Sequence, residues 1–345
     1  MLALRKAQPV AGVALQDVPE PSAPAENEVL IEVAATGICG TDLHIDEWVP
    51  SFRSFMGSAL PVTIGHETAG RIVRVGANVG NLKQGDRVVV NPAVACGQCT
   101  SCRSGVPDDC RDRQAIGMIK DGGCARFMLA PAQYTYLLPE NVPTELGALI
   151  EPLTTSAHAL ATAEIAAGKR VVIFGPGPIG QGAAILARQM GAIDVAIVGM
   201  HDETRLQTLR QLGFQQLLDM SETGADLRLR TLAGDGFDIA IEAAGALPVV
   251  EQALSVLKPW GILAMAGMPE GDASFNVMRL VRHRLQIRGV SRTPSSSWLT
   301  VLNAMSREPQ SFERIITHRL PLKDALQALA LCRSREASKV LLLPS

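Results

Sequence analysis

The sequence predicts an α/β protein in which a doubly wound parallel sheet is inserted into a barrel-like β domain. Three observations carry that expectation. Between Val29 and about Leu138 the chain runs in short β-like stretches: EVLIEVAATG, AGRIVRVG, GDRVVVNP and ARFMLAPAQYTYLLP. Each is apolar or alternating over about four to eight residues between Gly, Pro and Asn. From about Leu153 the texture changes. The apolar runs RVVIFG, VAIVG, FDIAIEAAG, GILAMAGMP and QIRGV alternate with helical segments such as IGQGAAILARQMG and ETRLQTLRQLG, the pattern of βαβ units around a parallel sheet. After Ser291 a helix (LKDALQALALCRSRE) and a terminal strand (SKVLLLP) follow, which fit a return to the first domain better than an extension of the second. The expected division is 1–152, 153–290 and 291–345, with a cysteine lobe at about 91–115.

Composition narrows the function classes. The chain has 345 residues, enough for two domains with substantial cores, and is 47% hydrophobic and 19% charged, a globular balance. A formal charge of −2 with interleaved signs argues against a surface that tracks nucleic-acid phosphates. The N-terminal MLALRKAQPV lacks a secretory pattern, and apolar runs such as GALIEPLTTSAHALATAEIAAG are broken before the roughly 20 residues a membrane helix needs. A soluble cytoplasmic protein without membrane or nucleic-acid partners is expected. Of seven cysteines, five are assigned to metal below, leaving Cys124 and Cys332, so no disulfide framework is expected.

In VVIFGPGPIGQGAAIL, Gly175, Gly177 and Gly180 have G-x-G-x-x-G spacing after a strand and at the start of a helix. The first glycine permits the tight turn, the second lets a pyrophosphate approach the backbone, and the third lets helix pack on strand. Pro178 and Ile179 complete the loop, and the helix N-terminus faces the phosphates. The alternative is a plain structural turn. Further on, where an acid would bind the ribose of NAD, the strand VAIVG ends in Met200 and His201 with no carboxylate directly at its end. His201 and Arg205 can both face a 2′-phosphate, which favours NADP over NAD. Alternatively Asp202 or Glu203 reaches the ribose, or His201 and Arg205 are solvated residues at the start of a helix.

The conspicuous metal signal is ACGQCTSCRSGVPDDC, with Cys96, Cys99, Cys102 and Cys110. Four thiolates close a tetrahedral zinc and leave no position for a substrate, so the chemistry belongs elsewhere. TGICGTDLH supplies Cys39, Thr41 and His44, and PVTIGHETAG supplies His66 and Glu67. Cys, His and an adjacent carboxylate give three ligands and leave one position open, the arrangement of a catalytic zinc. Either fragment alone is as well explained by a buried core Cys or His.

Together with GDRV at Gly85 to Val88, GALIEPL and the glycine loop, these motifs make the chain resemble a zinc-dependent member of the medium-chain dehydrogenase/reductase family over essentially its whole length. The resemblance implies a Rossmann domain inserted into a GroES-like β domain and two zincs per subunit. One would be a catalytic zinc on Cys39, His66 and either Glu67 or a water positioned by it. The other would be a structural zinc in the cysteine lobe. Glu151 is implied as an exchanging ligand or a neighbour of the metal, and a dimer or tetramer is implied as the assembly.

GALIEPLTTSAHAL is similar to the sorbitol and polyol branch, in which Arg292 of RGVSRT also matches an arginine near substrate and nicotinamide. TGICGTDLHIDEW resembles threonine dehydrogenases nearly as well. The expected reaction is hydride transfer between a secondary alcohol (a polyol, sugar alcohol or sugar acid) and NAD(P), with L-threonine oxidation as the alternative. Thr41, with His44, is expected to pass the hydroxyl proton to solvent, unless His44 is structural. Between the ligands, EWVPSFRSFMGSALP departs from both patterns. Trp48, Phe52 and Phe55 are expected as an apolar pocket wall and Arg53 as a contact for an anionic or hydroxyl-rich substrate, the alternative being a surface lobe or subunit contact. Rival classes are a metal-free reductase, which predicts loss of Cys39, His66 or Glu67, a zinc-ribbon nucleic-acid module, and a non-catalytic zinc- and nucleotide-binding protein.

Overall fold

The structure, a computed structural model, describes residues 1–344 and divides the chain into two compact units. The first takes Met1–Glu151, Met305–Pro309 and the chain from Ile316 onward, so both ends of the sequence build it. Its main sheet runs in the order Thr135–Leu137, Arg87–Val90, Glu67–Val75, Glu28–Gly37, Lys339–Leu343 and Ile316–Pro321, with Phe127–Pro131 also paired to Glu28–Gly37. Most pairs are antiparallel. Ile316–Pro321 and Lys339–Leu343 are parallel and joined through the helix Ala325–Arg333, the crossover that parallel strands require. One-sided burial shows in alternation: along Phe127–Pro131 every second residue is buried. Val29, Ile31, Ile72, Val88 and Met128 form the core beneath it.

Register in this sheet brings distant residues together. The long strand Glu28–Gly37 pairs on one side with Glu67–Val75, placing Gly37 opposite Glu67, and on the other with Lys339–Leu343, placing Gly37 opposite Leu341. The N-terminal strand Leu2–Lys6 lies in a separate three-stranded sheet, and Ala93–Val94 and Gln114–Ala115 form a small ladder flanking the cysteine segment.

The second unit, Pro152–Ala304 with Gln310–Ile315, holds a six-stranded parallel sheet. Its order is Gln216–Asp219, Asp194–Gly199, Arg170–Phe174, Phe237–Glu242, Leu257–Met265 and Gln286–Gly289. Numbered along the chain this is 3-2-1-4-5-6, the Rossmann order, with strand direction reversing its progression between Arg170–Phe174 and Phe237–Glu242. Every residue of Phe237–Glu242 is buried, which explains why these strands read as continuous apolar runs. The helix Pro178–Gln189 packs so closely on Ile150–Thr162 that a Cβ on Gly182 would lie 2.1 Å from the Leu153 side chain.

One boundary differs from the sequence expectation. The sequence texture puts the return to the first unit at 291, but residues through Ala304 group with the second. The helix Ser295–Arg307 buries Trp298, Val301 and Leu302, an i, i+3, i+4 stripe within the second unit, so the end of strand Gln286–Gly289 marks a change of texture and not a change of unit. Among the described residues no helix is long and apolar enough to cross a membrane.

Candidate functional site

Two clusters of metal-ligating side chains stand in the first unit, and they differ in kind. In the lobe, the sulfurs of Cys96, Cys99, Cys102 and Cys110 all lie within 4.8 Å of one another. Cys99–Cys102, Cys99–Cys110 and Cys96–Cys102 are 3.5, 3.8 and 4.0 Å apart. Tetrahedral zinc with Zn–S bonds near 2.3 Å requires sulfurs about 3.8 Å apart, so the cluster fits zinc and leaves no open position. Backbone N–H groups of Gln98 and Cys99 point at the Cys96 sulfur, and that of Cys96 at Cys110. The Cys102 backbone hydrogen bond, with its thiol, draws Cys99 down to about 6, whereas burial and the neighbouring thiols push Cys102 up to about 12. Four thiols in so small a space resist full ionisation until a cation shares it.

The second cluster is Cys39, His66 and Glu67, whose donor atoms also lie within 4.8 Å of one another. Cys39 caps the helix Gly40–Glu47, and its backbone N–H donates to the Asp42 carboxylate at 2.9 Å. The other Asp42 oxygen lies 3.6 Å from His66 Nδ1, and both atoms are buried without a hydrogen-bond partner. Burial alone would push the His66 imidazole down, but Asp42, with Cys39, raises it well above its ordinary value. With Nδ1 turned to Asp42, His66 Nε2 is left as the metal donor, the arrangement in which a carboxylate orients a ligating imidazole.

Glu67 is fully buried, and both of its oxygens accept from Lys339 Nζ, at 2.7 and 2.8 Å. The same ammonium donates to the Ile38 carbonyl at 2.9 Å, one residue before Cys39. The carboxylate lies over Gly37, where a Cβ would sit 1.9 Å from Glu67 Oε2, so only glycine fits opposite it. Glu151, at the end of the first unit, is pushed up to about 7. Burial is the main cause, with Glu67 and Asp42 adding to it and His66 and Lys339 opposing. The carboxyl groups of Asp42, Glu67 and Glu151 and the Cys39 thiol thus crowd near the Lys339 ammonium and the His66 imidazole. A divalent cation on Cys39, His66 and Glu67 relieves that excess, and the donor set matches zinc with one position to spare.

The other residues expected at this centre differ in burial. Trp48 is not a pocket wall: it is buried in the core with Ile45 on the same helical face, with Lys6 Nζ 4.7 Å from its ring centroid. Phe52 is half-buried and stacks on His44 with ring centroids 6.2 Å apart, while Phe55 is exposed. Arg53 donates through Nε to the Trp48 carbonyl at 2.8 Å. Thr41 is half-buried, and His44, 54% exposed, lies 4.0 Å from Glu47.

In the second unit the glycine loop has the shape its spacing requires. Gly175 has φ +106, and a Cβ there would meet the Ala243 carbonyl at 2.7 Å. A Cβ on Gly180 would lie 1.9 Å from the Gly175 oxygen, while Gly177, the N-cap of the helix that begins with Pro178 and Ile179, faces open space. The bare backbone at Gly177 is where a pyrophosphate can approach. Beside it the buried Glu242 accepts from the N–H groups of Ala244, Gly245 and Gly267. At the end of Asp194–Gly199, a Cβ on Gly199 would meet Pro176 at 3.0 Å and Asp202 at 3.2 Å, a tight fit. Met200 and His201 are exposed, and His201 has φ +56. Arg205 pairs with Asp202 at 3.3 Å, an engagement the sequence did not disclose. Asp219 accepts from the N–H groups of His201 and Asp202. Its pKa falls to about 2: burial opposes ionisation, but these bonds and two from Ser221 outweigh it. Arg292, with φ +59, is exposed just after strand Gln286–Gly289.

Sequence reasoning missed Asp42, Lys339, Asp219 and Glu242. Asp42 had a signal, as the residue three after Cys39 in a capping box. Lys339 had none, because its partner lies 272 residues away.

Comparison with known proteins agrees with this geometry. Residues 25–140 match the alcohol dehydrogenase GroES-like domain, and residues 178–307 match the zinc-binding dehydrogenase family. The chain is 32% identical to an L-threonine 3-dehydrogenase of Cronobacter sakazakii, over 99% of each chain. It is also 32% identical to a sorbitol dehydrogenase of Halalkalibacterium halodurans, over 100% of this chain and 99% of the relative. A solved zinc-binding dehydrogenase from Sinorhizobium meliloti 1021, bound to NADP, superposes with a TM-score of 0.88 at 27% identity, over 99% of each chain.

Two outcomes are expected at this centre. In chelator-treated protein, Lys339→Met strands the Glu67 carboxylate and is expected to lower unfolding stability by about 3–5 kcal/mol in urea titration. With zinc added back, the loss is expected to shrink, because the metal then faces the same carboxylate. The second outcome concerns pH. Glu151 holds its proton to about 7, above its ordinary 4.5, so the metal-free folded state binds more protons than the unfolded one across that window. Stability therefore falls as pH rises from 4.5 to 7, and Glu151→Gln is expected to flatten that slope in melts taken across the window. The part due to His66, whose raised pKa lies above its ordinary 6.5, remains at higher pH.

Proposed function

The chain belongs to the zinc-dependent medium-chain dehydrogenase family and is an oxidoreductase acting on CH–OH groups, and we propose that its substrate is a secondary alcohol of the polyol, sugar-alcohol or sugar-acid type. The observation that carries the reading is the three-donor set Cys39, His66 and Glu67, within 4.8 Å and one ligand short of a closed tetrahedron. Zinc bound there supplies a Lewis acid that lowers the pKa of a hydroxyl presented at the open position.

This chain's own residues do the rest. Asp42 holds the Cys39 backbone and faces the His66 imidazole, fixing both donors. Thr41 accepts a hydrogen bond from the substrate hydroxyl and passes the proton towards His44, whose exposed ring releases it to solvent. A nicotinamide cofactor, when bound, would supply the hydride acceptor, so that the alcohol's C–H and O–H bonds are exchanged for a carbonyl. Gly175, Gly177, Pro178, Ile179 and Gly180 hold the pyrophosphate. The half-buried Phe52, stacked on His44, is the apolar contact for the substrate.

NADP is the proposed cofactor. The lack of a carboxylate at the strand end, where Gly199, Met200 and His201 stand, supports it, and so do the exposed His201 and the NADP-bound relative. Arg205 reaches a 2′-phosphate only by sharing its guanidinium with Asp202. We also propose a dimer or tetramer. Strand Gln286–Gly289 ends its sheet, and Val277, Met278 and Val281 on the adjacent helix are exposed.

The decisive experiment is a panel of polyols, sugar alcohols, sugar acids, simple secondary alcohols and L-threonine, each assayed for NADPH and NADH formation. Turnover of a polyol or sugar acid with NADP is expected. Turnover of L-threonine alone overturns the substrate reading, and an NAD preference unaltered by His201→Ala or Arg205→Ala overturns the cofactor reading. Metal analysis is expected to find two zincs per chain, and one in Cys102→Ser. A second zinc that persists in that variant would show that the lobe is not its site.

A further inference from the structure

Two buried lysines in the first unit grip opposite ends of one short segment. Lys339 donates to the carbonyl of Ile38, immediately before the ligand Cys39. Lys6, with no exposed surface, donates to the carbonyls of Val10 at 2.5 Å, Gly12 at 3.0 Å and Asp46 at 3.5 Å, and lies against the Trp48 ring. Between these points runs the helix Gly40–Glu47, eight residues and about 12 Å long. It carries Cys39 at its cap, Asp42 facing His66, and Thr41 and His44 between.

The chemistry around Lys6 is unusual for a stabilising contact. Its three donors meet three carbonyls. The nearby Asp46 carboxylate is occupied instead by the Val13 N–H at 2.7 Å and by Arg333, which also reaches Glu47 at 3.5 Å. Burying an ammonium without a directly bonded carboxylate costs desolvation that an apolar side chain of similar length would avoid. What the ammonium supplies is direction. Asp46 lies in the last turn of the helix, where the carbonyls point out of the helix and a cation is favoured. Gly12 N–H donates back to the Asp46 carbonyl at 2.7 Å, so the turn Val10–Val13 and the helix end close around one charge.

Trp48 is fixed by the same contact. It has φ +58, a left-handed conformation uncommon for a bulky residue, and it turns the chain from the ligand helix into Pro50–Met56, which carries Phe52 against His44. We propose that Lys6 is a positioning residue for the metal centre: by binding the Asp46 carbonyl and the Trp48 ring it fixes the roll and axial position of Gly40–Glu47, and with them Cys39, Asp42 and Thr41. This inference rests on the metal-centre reading above. Lys6 touches neither metal nor substrate and acts from the far end of the helix.

The test is Lys6→Met, read in two ways. In the cobalt-substituted protein, the visible bands that vanish in Cys39→Ser are expected to shift in Lys6→Met. With zinc, kcat/KM for the best alcohol of the panel is expected to fall by roughly 10- to 100-fold, the scale of a small misplacement transmitted from a distance. Leu82→Ala, in the separate core beneath the main sheet, is the control for lost stability, and its cobalt bands are expected to match wild type. Cobalt bands in Lys6→Met that match wild type and Leu82→Ala overturn the proposal. Should Lys6→Met not fold, Lys6→Arg keeps the charge but cannot place three donors on the same three carbonyls, and it is expected to shift the same bands; an unshifted spectrum there overturns the proposal too. The spectrum needs no substrate, so it stands even if no alcohol in the panel is oxidised. A protein that binds no cobalt at Cys39 overturns both this proposal and the metal-centre reading.

Discussion

The constraint on which this molecule depends is negative charge buried around a gap. Asp42 and Glu67 lie out of water near the Cys39 thiol, with the half-buried Glu151 close by, and Lys339 and His66 oppose their charge. A protein interior does not tolerate such an excess unless groups are neutralised or a cation is present. Both responses are visible: Glu151 is pushed towards its neutral form, and three donors converge where a divalent ion fits. The topology serves the same need. Lys339 comes from the last strand of the chain, and only its pairing beside Glu28–Gly37 delivers an ammonium to the back of Glu67. Building one unit from both ends of the sequence is how the centre obtains its counter-ion.

The lobe shows what the centre would be without that excess capacity. Four sulfurs spaced for a tetrahedron satisfy a zinc completely, so the lobe has structure to offer and no chemistry. At Cys39, His66 and Glu67 the third donor is already committed to Lys339, through both oxygens. A carboxylate held in this way would approach a metal only by sharing itself with the ammonium, so a competing ion pair, as well as the number of donors, distinguishes this cluster from the lobe.

Much of this was legible in the sequence, and the division between what was and was not has a physical basis. The glycine loop was readable because each glycine answers to a local steric need: a left-handed turn at Gly175, bare backbone at Gly177, contact with the Gly175 oxygen at Gly180. The two donor clusters were readable because ligand chemistry restricts residue type. Lys339 was unreadable because nothing near SKVLLLP in sequence needs an ammonium; the need arises only from strand pairing. Trp48 was misread for a related reason. An aromatic residue between two metal ligands suggests a pocket wall, but its place one turn beyond Ile45 turns it into the core, where Lys6 lies against its ring. The boundary near 291 failed because a strand's end is visible in sequence, whereas the choice of which unit a following helix joins is made by its buried stripe.

The nucleotide end obeys the same logic with the sign reversed. Where an NAD enzyme places a carboxylate at the end of its second strand, this chain has Gly199 pressed between Pro176 and Asp202. Of the acidic groups nearby, Asp202 is bound to Arg205 and to the Met200 N–H, Asp219 gathers the N–H groups of His201, Asp202 and Ser221, and the exposed Glu203 pairs with Arg210. Each of these charges therefore has a partner within the protein, and the side chains exposed at the strand end are those of Met200 and His201. Under the NADP reading proposed above, selectivity rests on the lack of a carboxylate at the strand end, with His201 and a shared Arg205 adding attraction, and a dedicated arginine clamp is not required.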